Sequence, residues 1–169
     1  MDVLIFTLPL LIIALIIVAI IFGFIRYERR RAAAKQKAEA SKTILNLRLQ
    51  ACERIMLFLE RISPVQLISR IKPGNTDAQT YRFSILHSIR EEYEHNITQQ
   101  IYVSETVWEQ VKSARESVTA LINKLAGNLN DSSTANELAT AILEEEMKTP
   151  LKQLETSKKS LKQEVKKLF

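Results

Sequence analysis

His87, Glu91 and His95 stand four residues apart, and Glu92 precedes His95 by three. Imidazole nitrogens and carboxylate oxygens at these spacings are the ligands of helix-borne metal sites. Residues four apart lie on one face of a helix, one turn above the other. Two chemistries would use them. A carboxylate-bridged di-iron site in a bundle needs two Glu-x-x-His copies and a further Glu from each of two other helices. Glu92 and His95 make one copy, but Ser84 stands three residues before His87, so the second is missing. A mononuclear site of His87, Glu91 and His95 would gather side chains spread over about 12 Å of helix onto one ion. Adjacent members reach each other; all three together are strained. A polar, partly solvated helix face explains the same residues without a metal. The sequence favours that face and leaves His87, Glu91 and His95 as weak metal candidates.

Other reactive groups point the same way. Cys52 is the single cysteine, so neither an intramolecular disulfide nor a cysteine-based zinc site can form. It falls on an apolar helix face and reads as a small core hydrophobe. The tyrosines and Trp108 invite a cofactor pocket, yet aromatics at helical spacing are ordinary core. Asn96-Ile97-Thr98 and Asn130-Asp131-Ser132 match the glycosylation sequon, which carries no meaning in a cytoplasmic chain. Phosphate-binding loops, nucleophile elbows and metalloprotease motifs do not occur. No catalytic residue, no cofactor and no enzymatic activity are expected.

The element that must position everything else is the stretch Val3 to Ile25, which holds 23 residues and no charge. As a helix it is about 35 Å long, enough to cross a bilayer core. Arg26, Arg29, Arg30, Arg31, Lys35, Lys37 and Lys42 follow it. A cleaved signal peptide would need a basic start, a shorter apolar core and a small-residue cleavage site, and none is present. Positively charged flanks stay in the cytoplasm. The expectation is a single-pass protein of a bacterial inner membrane, N-terminus out, with the C-terminal domain cytoplasmic.

Charge is distributed unevenly. Residues 26–42 hold seven Lys or Arg against two Glu, and residues 148–169 hold seven Lys against two Glu. Residues 43–147 carry ten basic and fourteen acidic side chains. Two basic arms thus flank a mildly acidic body. Beside an anchor, the arm Arg26–Lys42 suits anionic lipid headgroups. The interleaving of aromatic and basic residues that marks a nucleic-acid surface is absent, so no nucleic-acid partner is expected.

The rest reads as helices. Residues 26–42 are strong helix formers without Gly or Pro, so the helix should continue as a stalk. Over Ile44–Ile62 two neighbouring apolar rows, Leu45-Leu49-Cys52-Met56-Leu59 and Ile44-Leu47-Ala51-Ile55-Phe58-Ile62, make a wide face suited to a bundle. Ser63-Pro64 starts a short helix with Val65, Leu67, Ile68 and Ile71 inward. Asp77 caps a helix from about Ala78 to Gln99, with Tyr81, Ile85, Ile89, Tyr93 and Ile97 on one face. Ile101-Tyr102-Val103 is a connector, and Ser104 caps the next helix. Val107, Val111, Ala114, Val118, Leu121 and Leu125 form its seam, and Gly127 ends it. Thr134 and Glu137 fit a capping box. That short helix turns Leu138, Ala141, Ile142 and Met147 inward. Leu151, Leu154, Leu161, Val165 and Leu168 line a last helix, for which packing on the bundle or on a partner is favoured over lipid contact. Glu144–Glu146 is a solvated charge run or a dock for this Lys-rich tail. The expected fold is all-α: a transmembrane anchor at 1–25, a basic stalk at 26–43, a helical bundle at 44–147 and an amphipathic helix at 148–169.

Gln50-Ala51-Cys52-Glu53-Arg54, Arg61-Ile62-Ser63-Pro64 and Glu94-His95-Asn96-Ile97-Thr98-Gln99-Gln100-Ile101-Tyr102-Val103-Ser104, with Trp108, resemble an uncharacterised bacterial family. Its members, mainly from the Bacteroidota, are single-pass proteins with a cytoplasmic helical region. The resemblance covers nearly the whole chain. It implies an inner-membrane protein and brings no activity, ligand or catalytic residue. The functional expectation is a membrane-anchored scaffold or adaptor that holds a protein partner, or a second copy of itself, at the inner membrane. The alternatives are a peripheral module sensing anionic lipid through the basic arms, and a metal-binding bundle enzyme using His87, Glu91 and His95.

Overall fold

The structure, a computed structural model, describes residues 2–130 and 132–168, with side chains from residue 15 onward. Six α-helices and one 3₁₀ segment make up an all-α fold: α1 Asp2–Arg61, α2 Pro64–Arg70, α3 Ala78–Asn96, the 3₁₀ segment Ile97–Tyr102, α4 Glu105–Gly127, α5 Ala135–Lys148 and α6 Lys152–Lys166. The chain divides into two compact units, Met1–Leu45 and Asn46–Phe169.

In the first unit the apolar stretch and the basic stretch belong to one helix, as the run of helix formers after Ile25 requires. Among the described residues no helix is long and apolar enough to cross a membrane. Of the expected span Val3 to Ile25, residues 3–14 lie outside those described with side chains, and 15–25 alone is shorter than a crossing needs. The structure therefore does not show the span. In the part it describes, the large apolar side chains are exposed, from 42% at Ile25 to 69% at Leu15. The cations Arg26 to Lys42 are exposed as well.

The second unit has a continuous core. The α1 segment within it buries Ala51, Cys52, Ile55, Phe58 and Leu59, and Ile62 follows. Against these pack Ile85 and Ile89 of α3, Val111 and Val118 of α4, Leu138 and Ile142 of α5, and Leu154 and Leu161 of α6. Tyr93 joins an aromatic row: its ring centroid lies 6.0 Å from Phe58 and 5.8 Å from Trp108. Phe58 and Trp108 of this row are buried in the core, and Tyr93 packs against it.

Caps set the helix starts. Asp77 accepts from the Thr80 N–H at 2.8 Å, and Thr134 with Glu137 forms the expected capping box. Neither cap reaches the first amide of its helix, one of the donors a helix start leaves unpaired. The two loops satisfy those amides reciprocally. The Ala78 N–H donates to the Ser133 carbonyl and the Ala135 N–H to the Thr76 carbonyl, each at 2.9 Å, closing an antiparallel bridge between Asp77 and Thr134. The Tyr81 hydroxyl donates to the Ile71 carbonyl at 2.6 Å and fixes the other end of the first loop.

Several details differ from the expectation. Ser63 occupies the cap position of α2, but its hydroxyl turns back to donate to the Glu60 carbonyl at 2.7 Å. Helix α3 ends at Asn96 instead of Gln99, and the connector is about two turns of 3₁₀ helix. Val65 and Met147 face solvent, at 53% and 83% exposure. Late in α4 the core row passes to Ile122 and Ala126, with Leu121 and Leu125 half-buried.

Candidate functional site

The structure separates the candidate metal ligands. His87 Nε2 lies 3.3 Å from Glu91 Oε1, with both side chains more than half exposed. His95 turns its Nδ1 to the backbone carbonyl of Glu91 at 2.8 Å, away from the carboxylate. The carbonyl can only accept, so Nδ1 carries the proton. Glu92, the carboxylate of the Glu-x-x-His spacing, is held by two guanidiniums: Arg61 Nη1 at 3.2 Å and Arg70 Nη1 at 2.8 Å. Its acceptor capacity is taken by helices α1 and α2. Among the described residues no group of three or more metal-ligating side chains comes together.

What these residues line is a groove between α1, α2 and α3. Arg54, Leu57, Arg61 and Arg70 stand on one side, and Ser88, Glu91, Glu92, His95 and Asn96 on the other. The Arg70 guanidinium also donates to the Arg61 carbonyl at 3.3 Å, which secures the turn between α1 and α2. Charge-assisted pairs to one carboxylate hold both arginines in place. Both charges line the groove, and Arg61 and Arg70 share the single Glu92 carboxylate.

A second polar junction ties α6 to the body. Glu164 is nine-tenths buried. Its carboxylate accepts from the Ser104 backbone N–H at 2.7 Å, from the Ser104 hydroxyl, and from Arg48 Nη2 at 3.4 Å. Arg48 Nε donates to the Tyr102 carbonyl at 3.1 Å. One carboxylate therefore joins α1, the end of the 3₁₀ segment, the start of α4 and α6. The Ser104 hydroxyl in turn accepts from the Val107 N–H at 3.4 Å as the cap of α4, so this carboxylate steadies a helix start. Cys52 lies nearby, buried, and its thiol is pushed up by that burial first and then by the Glu164 charge. A buried thiol with a raised pKa is inert.

The Lys-rich tail packs on the bundle through Leu154 and Leu161, as favoured, and of the run Glu144–Glu146 only Glu146 faces it, toward the Leu151 amide and Lys158. Lys158 reaches Glu60 of α1 at 2.9 Å. Glu144 pairs with Lys148 at 3.6 Å within α5, and Glu145 with Lys124 at 3.9 Å. Sequence reading missed Arg48, Arg61 and Arg70 as organising cations. Their partners lie 116, 31 and 22 positions away, so no local spacing announces them. A signal does exist for the opposite face of α3, where Arg82, Leu86 and Arg90 recur every four residues.

The model of a family of unknown function, DUF7935, matches residues 1–168. No curated protein and no solved structure matches the chain. The match accords with the resemblance to an uncharacterised family over nearly the whole length. It says nothing of a membrane or of a source organism.

Proposed function

The chain belongs to DUF7935, and for it we propose the role of a membrane-anchored scaffold or adaptor that presents a helical module at the cytoplasmic face of a bacterial inner membrane. The observation that carries this reading is Leu15–Ile25, a run of large apolar side chains left exposed on α1. Contiguous exposed apolar surface of that kind marks contact with a membrane or a protein. The uncharged residues before it and the cations after it favour a membrane, with the cations on the cytoplasmic side. Exposed Arg26–Lys42 would then lie against anionic headgroups. The second unit supplies a self-contained core and charged grooves, which suit it to holding a protein partner or a second copy. The reading assigns no catalytic role.

The lipid-sensing alternative needs the apolar face of α6 as well as the basic arm. Leu154 and Leu161 of that face are buried in the bundle, so the scaffold reading has the stronger support. Fractionation tests it. The full chain should sediment with membranes and resist alkaline carbonate extraction, and a variant lacking residues 3–25 should be soluble. Release of the full chain by carbonate would defeat the anchor. A reporter fused after Phe169 should be active in the cytoplasm; activity on the far side would reverse the orientation.

A further inference from the structure

Helices α3 and α4 leave a groove between them on the face of α3 away from Glu92. Its floor is Leu86, Ile89 and Ala120, and its rim carries Arg82, Arg90 and Arg115. Neutral groups hold two of these guanidiniums. Arg82 donates from Nε to Asn123 Oδ1 at 2.8 Å and from Nη1 to Gln79 Oε1 at 3.0 Å. Arg115 lies over the Tyr93 ring, 4.2 Å from its centroid. Its one carboxylate contact is the neighbouring Glu116 at 3.6 Å, whose side chain is 68% exposed. Arg90 is exposed, and among the described residues it makes no ion pair. Three cations face one solvated carboxylate, in the part of the chain where acidic residues outnumber basic ones.

The geometry points to a docking site for an acidic amphipathic helix of a partner protein. Amide and aromatic tethers fix where the guanidiniums sit without neutralising them, which is preorganisation for an anion. Arginine forks take carboxylates in bidentate pairs. Arg82 and Arg90 are two turns apart, about 12 Å along α3, so carboxylates two turns apart on a partner helix match them. The apolar floor between them receives the ridge of that helix, the helix-in-groove mode of recognition. An inorganic phosphate would gain nothing from Leu86, Ile89 and Ala120. This site deepens the adaptor reading by giving the partner a chemistry.

The test is binding by the full chain in non-ionic detergent. The probe is a fluorescent, lactam-stapled helical peptide with leucines on one face flanked by glutamates; the control peptide has glutamine in place of each glutamate. The acidic peptide should bind saturably and more weakly as salt rises. Arg90→Glu should weaken it by about tenfold or more, in the range of close interfacial charge pairs, while Arg54→Glu in the α1–α3 groove leaves it unchanged. Arg90 has no partner to lose, so its variant should melt as the parent does. Failure of the acidic peptide to bind, equal binding of the glutamine peptide, or indifference to Arg90→Glu would overturn the proposal. So would displacement by inorganic phosphate at matched ionic strength or by anionic vesicles, which would make the groove a phosphate site. Loss of anchoring is read from fractionation and leaves this result untouched.

Discussion

Two arginine-lined grooves flank helix α3, and they differ in what holds the cations. In the groove toward α1, Glu92 takes Arg61 and Arg70 together. In the groove toward α4, amides and a tyrosine ring hold Arg82 and Arg115. Each groove counts three arginines. In the first, Arg61 and Arg70 share one carboxylate from another helix while Arg54 stays exposed. Among the described residues no arginine of the second pairs with a carboxylate from another helix. A count of cations along a sequence therefore says little about binding; the identity of the tether decides it. Arg48 gives a third setting, against a carboxylate buried at the foot of α6. The three form a series from a buried carboxylate, to a carboxylate 14% exposed and shared by two arginines, to neutral tethers.

Removing the tethers one by one tests that series. Glu164→Ala should have the largest effect, about 3 kcal/mol lost in urea unfolding, because it strands the Ser104 amide and Arg48 together. An unchanged unfolding free energy would mean that this carboxylate does not hold α6. Glu92→Ala should lose less, about 1–2 kcal/mol, since Arg61 and Arg70 remain 46% and 34% exposed and water replaces part of the pairing. It should also make the first groove resemble the second, so that the acidic peptide gains a site sensitive to Arg70→Glu. Arg115→Met should lose about 1 kcal/mol with its place over Tyr93, and Arg90→Ala should stay within about 0.5 kcal/mol of the parent. A larger loss at Arg90 would reveal a structural role and remove the contrast between the grooves.

Glu146 is the inverse case, a carboxylate whose Oε2 is buried without a hydrogen-bond partner. Burial pushes its pKa up, with Glu155 adding to the rise, while the Leu151 amide and Lys158 oppose it. The folded value lies above the unfolded one, so folding favours the protonated form. Ionisation then weakens the fold as pH rises through the folded pKa, and below the unfolded pKa no penalty remains. Glu146→Gln should therefore raise the melting temperature slightly at neutral pH, with the advantage vanishing in acid. A pH-independent gain would trace the effect to packing instead.

Helix starts were legible because their signals are local. Asp77, Ser104 and Thr134 with Glu137 announce three helices from adjacent residues, and all three caps form. Seams were legible over a few turns. A row spaced 4-3-4-3 drifts by about 20° per heptad around a straight helix. That drift explains why α4 follows Val107, Val111, Ala114 and Val118 and then passes to Ile122 and Ala126. The spacing of Glu92 and His95 was equally plain, but arginines from two other helices claim Glu92. Partnerships made across the bundle, such as Arg48 with Glu164, leave no trace in local spacing. Exposure of Val65 and Met147 likewise depends on where neighbouring helices end.

The backbone bridge between Asp77 and Thr134 makes the beginnings of α3 and α5 a single kinetic object. Neither first amide can meet water unless the Thr76 and Ser133 carbonyls separate, and that separation frees both amides at once. Exchange with deuterium should report this as a shared opening event. The amides of Ala78 and Ala135 should exchange with one common protection factor, although 57 positions separate them. A Gly introduced at Ser133 should speed both, while leaving amides in the middle of α4 at the rate set by global unfolding.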